Sequence, residues 1–284
     1  MKIKIKNYWP LIKSLQTALL LITGIAGYMS VRCPVLNLQV IISLSGSLFL
    51  AISGSTVLNM WYDRDIDARM ERTCLRPLPT GQVSPKQALS LGLLLSIVGV
   101  GWALLLDPLF GLVVFAGLFI DVVIYTIWLK RVTAWSIVWG GISGGMPVLA
   151  GRALALGYID WIGVALSLAV LFWIPTHILT FNMRYHQDYK AAGVPTFPSR
   201  YGFDATRKII ALSSILAVLL MGSVVLGVGI SGGFLHLFGI VSFILVMLAV
   251  TMMTRPSTNG NFGLFKYASM YMLGAMVILI FNSL

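Results

Sequence analysis

The sequence predicts an all-α polytopic membrane protein with nine transmembrane helices, and three observations predict it. Of its 284 residues 58% are hydrophobic and only 10% charged, with a mean hydropathy of +0.92, whereas about a quarter of the residues in a water-soluble domain are charged. Apolar runs long enough to cross a bilayer, roughly 20 residues each, recur along the whole chain. The basic residues, finally, fall almost entirely on one side of the topology that those runs imply.

The runs lie near 11–31, 38–58, 87–106, 109–129, 135–155, 160–182, 208–230, 232–253 and 263–283. They are too long for barrel strands, and backbone groups in lipid must be satisfied within the segment, so each reads as a helix. Nine crossings put the termini on opposite faces. With the N-terminus cytoplasmic, 18 of the 20 basic residues are cytoplasmic, leaving only Arg32 and Arg152 outside; a wrong span count would scramble that bias. The first run is long and lacks a small-residue cleavage site, so it reads as a retained helix. The net charge of +11 follows from basic loops that set orientation and meet anionic lipid, and no nucleic acid is expected. Cys33 and Cys74 fall on opposite faces and have no metal-type spacing, which excludes an internal disulfide and cysteine chemistry.

Two cytoplasmic loops, about 59–86 and 183–207, exceed what connecting helices requires. They stand four helices apart on the same face, which hints at a duplicated four-helix unit with a ninth helix appended. Together they hold six of the nine acidic residues: Asp63, Asp65, Asp67, Glu71, Asp188 and Asp204. Asn59, Asp63, Asp67 and Glu71 recur every four residues, so a helix continuing out of the membrane aligns them on one face. Carboxylates converging without interleaved bases repel one another unless a cation sits between them. Hard oxygen donors of this kind suit Mg²⁺, which binds one or two carboxylates together with substrate phosphate oxygens. Arg64, Arg69, Arg72 and Arg76 offer forked donors matched to phosphate. The alternative at this point is a salt-bridged helix end.

On the sixth span, His177, Phe181, Arg184 and Asp188 fall at i, i+4, i+7 and i+11, a stripe leading to the same mouth. A lone His in a membrane helix is most often a satisfied polar contact; Trp173 and Pro175 beside His177 favour a cavity, because proline can open a helix there. Asp121 and Tyr125 stand one turn apart at membrane depth, near Lys130 and Arg131. An ionisable group so placed is costly, and it either serves function or forms a structural Asp–Tyr hydrogen bond. Trp128 and Trp161 read as interface anchors.

These residues carry a resemblance. Asn59-x-x-x-Asp63-x-x-x-Asp67 followed by Arg72-Thr73-x-x-Arg76-Pro77-Leu78-Pro79-x-Gly81 resembles the first signature of the UbiA superfamily of intramembrane prenyltransferases. Tyr125-Thr126-x-Trp128-Leu129-Lys130-Arg131, Ile137-Val138-x-Gly140-Gly141 through Met146-Pro147, Trp173-x-Pro175-x-His177 and Asp188-Tyr189-x-x-Ala192-Gly193-Val194-Pro195 are similar to its heme O synthase (protoheme IX farnesyltransferase) branch. The resemblance covers roughly residues 55–200.

It implies one transmembrane prenyltransferase domain over residues 1–284, a UbiA-type bundle with an opening to lipid, in the cytoplasmic membrane of a prokaryote. Asn59, Asp63, Asp67 and Asp188 would hold a Mg²⁺–diphosphate. Arg64, Arg72, Arg76, Lys130 and Arg131 would clamp the diphosphate, while His177, Trp173, Asp121 and Tyr125 would lie on the acceptor side. Farnesyl diphosphate and heme b would be the substrates, and a heme A synthase or a terminal oxidase a partner. Many superfamily members carry a second Asp-x-x-x-Asp; here Arg184 stands four before Asp188, as the resemblance associates with the heme enzymes. Other acceptors are a quinone precursor, a chlorophyll-type ring or an archaeal glycerolipid. A secondary transporter would also show many spans, but it would place broken helices and charges near the midplane.

Overall fold

The computed structural model describes residues 7–31 and 37–282; Lys2, Lys4, Lys6, Arg32 and Cys33, which the charge and cysteine arguments used, lie outside them. Among the described residues there is helix and turn and no strand. A 3-10 turn, Trp9–Ile12, leads into α1, Ser14–Met29. The chain returns through α2, Leu38–Tyr62, whose first turn is capped by the Asn37 side chain. Then come a short α3, Arg64–Asp67, and α4, Pro85–Leu106, started by a Ser84/Gln87 capping box. After α5, Pro108–Phe119, the helix continues as a π-helical segment, Ile120–Leu129. There follow α6, Ser136–Leu156, α7, Trp161–Arg184, α8, His186–Ala191, α9, Phe197–Val228, α10, Gly232–Thr254, and α11, Thr258–Asn282.

Among the described residues, eight helices are long and apolar enough to cross a membrane. The expected span at 135–155 is α6, a helix of 21 residues that is not one of the eight. Glycines and Arg152 dilute its hydropathy, yet it packs among α1, α5 and α7. Its glycines explain how. A Cβ on Gly151 would lie 1.9 Å from the Gly24 carbonyl oxygen, and one on Gly27 2.0 Å from that of Val148, so α1 and α6 cross with their backbones in contact. Lipid gives no hydrophobic gain for helix association, so close backbone approach through small residues supplies the packing.

The two charged loops are more helical than their polarity implies. The residues of 59–86 include the last turn of α2 and all of α3, and those of 183–207 include α8 and the start of α9. α9 begins at Phe197 because Thr196 and Ser199 cap it and Pro198 fits its first turn. It then kinks at Gly202, whose φ of 80° only glycine adopts readily. The helices around the loops pack in corresponding pairs, α2 along α4 and α7 along α9. The loops themselves are joined by an apolar cluster of Ile66, Met70, Ala192 and Val194.

Candidate active site

The site grows from the C-terminal end of α2. Asp63 N–H donates to the Asn59 carbonyl (2.9 Å) and Asp67 N–H to that of Asp63 (2.8 Å), so helical register carries across the α2–α3 junction. Asn59, Asp63 and Asp67 therefore share one face, as their spacing predicts, while Glu71 falls beyond it in the turns. Asp63 and Asp67 are each only 5% exposed. Carboxylates so buried need partners. Arg76 Nη1 donates to both oxygens of Asp67, at 2.9 and 2.8 Å, and Thr73 Oγ1 donates to the Asp67 carbonyl (3.0 Å), folding the loop back over α3. Lys130 Nζ donates to Asp63 Oδ2. Asp63 Oδ1 has no hydrogen-bond partner, although Arg131 Nη2 stands 3.9 Å from it.

Arg131 instead grips Asp65 with both guanidinium nitrogens, at 2.8 and 2.7 Å. The hydrogen bond from Arg131 holds the Asp65 carboxyl below the usual carboxylate range. Arg64 donates to the Trp61 carbonyl (2.7 Å) and lies over the Trp61 ring, so it turns away from the two buried acids. Arg72 lies over Phe181 and Tyr185 at the C-terminal end of α7. Between the loops is an open cleft of about 490 Å³, lined by Glu71, Arg72, Arg184, Tyr185, Gln187 and Asp188. The expected stripe from His177 to Asp188 is interrupted here, because α7 ends at Arg184 and Asp188 belongs to α8. Among the described residues no three of His, Cys, Asp and Glu are placed to hold a metal by themselves.

One turn below Asp63, Asn59 belongs to a polar network within the bundle. Its Nδ2 donates to Asp121 Oδ2 (2.8 Å), and its Oδ1 accepts from Thr126 Oγ1 (2.8 Å). Ser55 also donates to Asp121 Oδ2, and Ser143 Oγ stands 3.5 Å from Oδ1. The Asp121–Tyr125 hydrogen bond weighed from the sequence is replaced by these contacts. The cause is the π-helical register, in which bonding runs i to i+5: Lys130 N–H reaches the Tyr125 carbonyl, and Thr126 Oγ1 that of Asp121. Residues four apart no longer stack, and Tyr125 takes Lys130 Nζ over its ring, 5.7 Å from the centroid.

His177 faces α11. Its ring is stacked between Trp173 (centroids 5.0 Å apart) and Phe265 (4.5 Å), and Nδ1 shares a hydrogen bond with Ser269 Oγ (3.0 Å). Trp173 Nε1 donates to the Ala268 carbonyl (2.7 Å). α7 runs unbroken through Pro175. Sequence reasoning missed Ser55, Ser143, Phe265 and Ser269, and gave Thr126 a place in a motif but no role. Ser55 was legible as the next step of the four-residue spacing below Asn59; the others depend on which helices become neighbours.

A family model described as the UbiA prenyltransferase family matches residues 20–273. The chain is 42% identical over 219 residues to the protoheme IX farnesyltransferase of Korarchaeum cryptofilum, covering 77% of this chain and 74% of that one. It is 34% identical over 278 residues to that of Pyrobaculum neutrophilum, covering 97% and 99%. Among solved structures it resembles a digeranylgeranylglyceryl phosphate synthase, with a TM-score of 0.82 at 19% identity over 99% of this chain and 98% of the other. It also resembles a UbiA homologue from Archaeoglobus fulgidus bound to GPP and Mg²⁺, with a TM-score of 0.71 at 18% identity over 96% and 99%. These two likenesses speak to the fold.

Proposed function

We propose, since the chain belongs to the UbiA prenyltransferase family, that it transfers the farnesyl group of farnesyl diphosphate to a vinyl group of protoheme IX, where water supplies a hydroxyl, giving heme O, diphosphate and a proton. The observation that carries this reading is the near full-length match to a protein named protoheme IX farnesyltransferase. Membership in a prenyltransferase family displaces the transporter reading.

The residues at the α2–α3 junction fit a Mg²⁺ ion. Asp63 Oδ1 is a buried carboxylate oxygen with no hydrogen-bond partner, and Asp67 follows it one turn later on the same face. Asp63 and Asp67 would hold the metal, with Asn59 and Asp188 completing the donor set and diphosphate oxygens supplying the remainder. When bound, Mg²⁺ neutralises charge on the departing diphosphate. Arg72, Arg76, Lys130 and Arg131 clamp the diphosphate, releasing their present carboxylate or aromatic partners to do so; Arg64 joins them by swinging off Trp61. Holding these cations where negative charge develops favours loss of the diphosphate. The apolar bundle keeps bulk water from the allylic cation until the heme vinyl captures it; the cation left on the vinyl carbon next to the macrocycle then takes one water and loses a proton, which gives the hydroxyl. His177 and Trp173 offer the acceptor a stacked wall, and Asp121 and Tyr125 line the acceptor side between α2 and α6.

In this reading the chain is one functional domain of nine crossings with a cytoplasmic N-terminus, in the cell membrane of a prokaryote, handing its product to a heme A synthase or terminal oxidase. Incubating purified protein with heme b, farnesyl diphosphate and Mg²⁺, then weighing the extracted heme, tests it. A heme heavier by one farnesyl group and one hydroxyl group is expected. Unchanged heme, with prenylation of a quinone precursor, a chlorophyll-type ring or a glycerolipid under the same conditions, would overturn it.

A further inference from the structure

We propose that Arg184 and Lys266 form the edge on which the two propionate carboxylates of the tetrapyrrole acceptor dock, an inference that rests on the acceptor reading above. The two cations share one ring. The Arg184 guanidinium lies 3.9 Å from the centroid of Phe262, and Lys266 Nζ lies 4.8 Å from it. One arrives from the last turn of α7 and the other from the third turn of α11. Neither has a carboxylate partner among the described residues. Arg76, Lys130, Arg131, Arg152 and Arg207, by contrast, are each bonded to an aspartate. A guanidinium whose face rests on a ring keeps its N–H edge free for a planar carboxylate.

Phe262 is also the upper end of a ladder of rings. It stacks on Phe265 (5.6 Å, 7° between planes), Phe265 on His177 (4.5 Å, 28°), and His177 on Trp173 (5.0 Å, 29°). Arg184 stands seven residues beyond His177, about 10 Å of helix rise. The α7–α11 interface therefore presents an apolar, aromatic surface with two unpaired cations at one edge. A tetrapyrrole has the complementary form: a flat apolar macrocycle with both carboxylates on one edge and its vinyl groups away from them. Docked in this sense, the propionates stay at the polar mouth and the vinyls point into the bundle, where a prenyl chain anchored by its diphosphate must lie. Arg184 also lines the cleft that Glu71 and Asp188 border, whereas Phe262 and Lys266 do not, so the propionates belong toward Lys266, away from those acids.

The chemistry shared with a rival source is an anion at the membrane surface, since lipid phosphate would also attract these cations. Spectral titration of the full-length protein in neutral-lipid nanodiscs separates the two, using iron protoporphyrin IX and its propionate dimethyl ester. Wild type is expected to bind the free acid about tenfold more tightly than the ester. Arg184→Gln and Lys266→Gln should each weaken free-acid binding about threefold, and the double variant about tenfold, as for exposed ion pairs. The ester should bind all of them alike, Arg184→Lys should retain most of the affinity, and the KM for farnesyl diphosphate should not move. Equal wild-type affinity for acid and ester, or an acid preference that survives in the double variant, overturns the proposal and leaves the acceptor reading standing. So does an effect of the variants that is seen only as weaker binding to anionic vesicles. Failure of wild type to bind either tetrapyrrole overturns both readings.

Discussion

The bundle buries charge at both ends, and the two ends treat it differently. α2 is 25 residues long, about 37 Å at 1.5 Å per residue, and separates the Asp63 region from an ionic cluster around Arg152. Arg152 is 5% exposed. Its Nε and Nη2 donate to the two oxygens of Asp160 at 2.7 and 2.8 Å, and its Nη1 donates to the carbonyl and hydroxyl of Ser30 at 2.7 and 2.8 Å. Asp160 also caps α7 through Gly163 N–H (2.9 Å). Burial would raise the Asp160 carboxyl, but these hydrogen bonds and the Arg152 charge leave it lowered. Every charge there is matched, and the cluster ties α1, α6 and α7 together. At Asp63 the burial is equal and the matching incomplete. The fully bonded Arg152 cluster is part of the scaffold; Asp63, which keeps a free oxygen beside several cations, is the ligand end in the proposed reading.

The largest expected effect breaks the comparison at its functional end. Asp63→Ala and Asp67→Ala should each lower farnesyl transfer about a thousandfold, the scale of losing a principal electrostatic contact to the departing group. Thermal midpoints should change little, because each variant also removes a buried acid. Near-normal transfer by either purified variant would strike that acid from the mechanism. Arg152→Met makes the reciprocal case. It removes a buried guanidinium's four hydrogen bonds, leaves the half-buried Asp160 without its partner and should cost about 2 kcal/mol of stability, while turnover per folded molecule stays at the wild-type level. A variant as stable as wild type would show that the Arg152 cluster is not scaffold. Ser30→Ala sharpens the same end, removing one hydroxyl acceptor from Arg152 but leaving the carbonyl; about 1 kcal/mol is expected by denaturant titration.

The difference between the two ends was only half legible in the sequence. Composition and run length gave an all-helical membrane fold, since bilayer thickness fixes helix length whatever the neighbours. The four-residue spacing placed Asn59, Asp63 and Asp67 on one face, because helical register is local. Arg152 read merely as one of two basic residues against the orientation bias; its partners Ser30 and Asp160 come from other helices, and no local period announces them. The same holds for the His177 stack, where Phe265 and Ser269 lie some 90 residues away. The π-helical segment was hidden for another reason. Its residues are mostly apolar like those of the other spans, and the register shift shows only in what Asp121, Tyr125 and Lys130 then touch. The extent of α8 and α9 within a polar stretch was missed because amphipathic helices at a membrane mouth carry no long apolar run.

The smallest effect concerns Asp65, which belongs to neither class. It lies beside the buried acids in sequence, yet its side chain is 48% exposed and its partner Arg131 35% exposed. Its folded pKa is lowered by the Arg131 hydrogen bond, so the pair stabilises the fold above the ordinary carboxylate range, and that contribution is lost as pH falls through the folded pKa. Solvent screening limits it to about 0.5 kcal/mol. Asp65→Asn should therefore be slightly less stable than wild type at pH 7, and the difference should close below about pH 4. Thermal midpoints measured across that range decide the matter. A gap that persists or widens in acid would mean that Asp65 supports the fold through something other than its charge. Transfer activity adds a second discriminator: if Arg131 is a diphosphate clamp that Asp65 merely parks, freeing it should leave turnover intact or raise it slightly, whereas a tenfold loss would place Asp65 with Asp63 and Asp67 in the site.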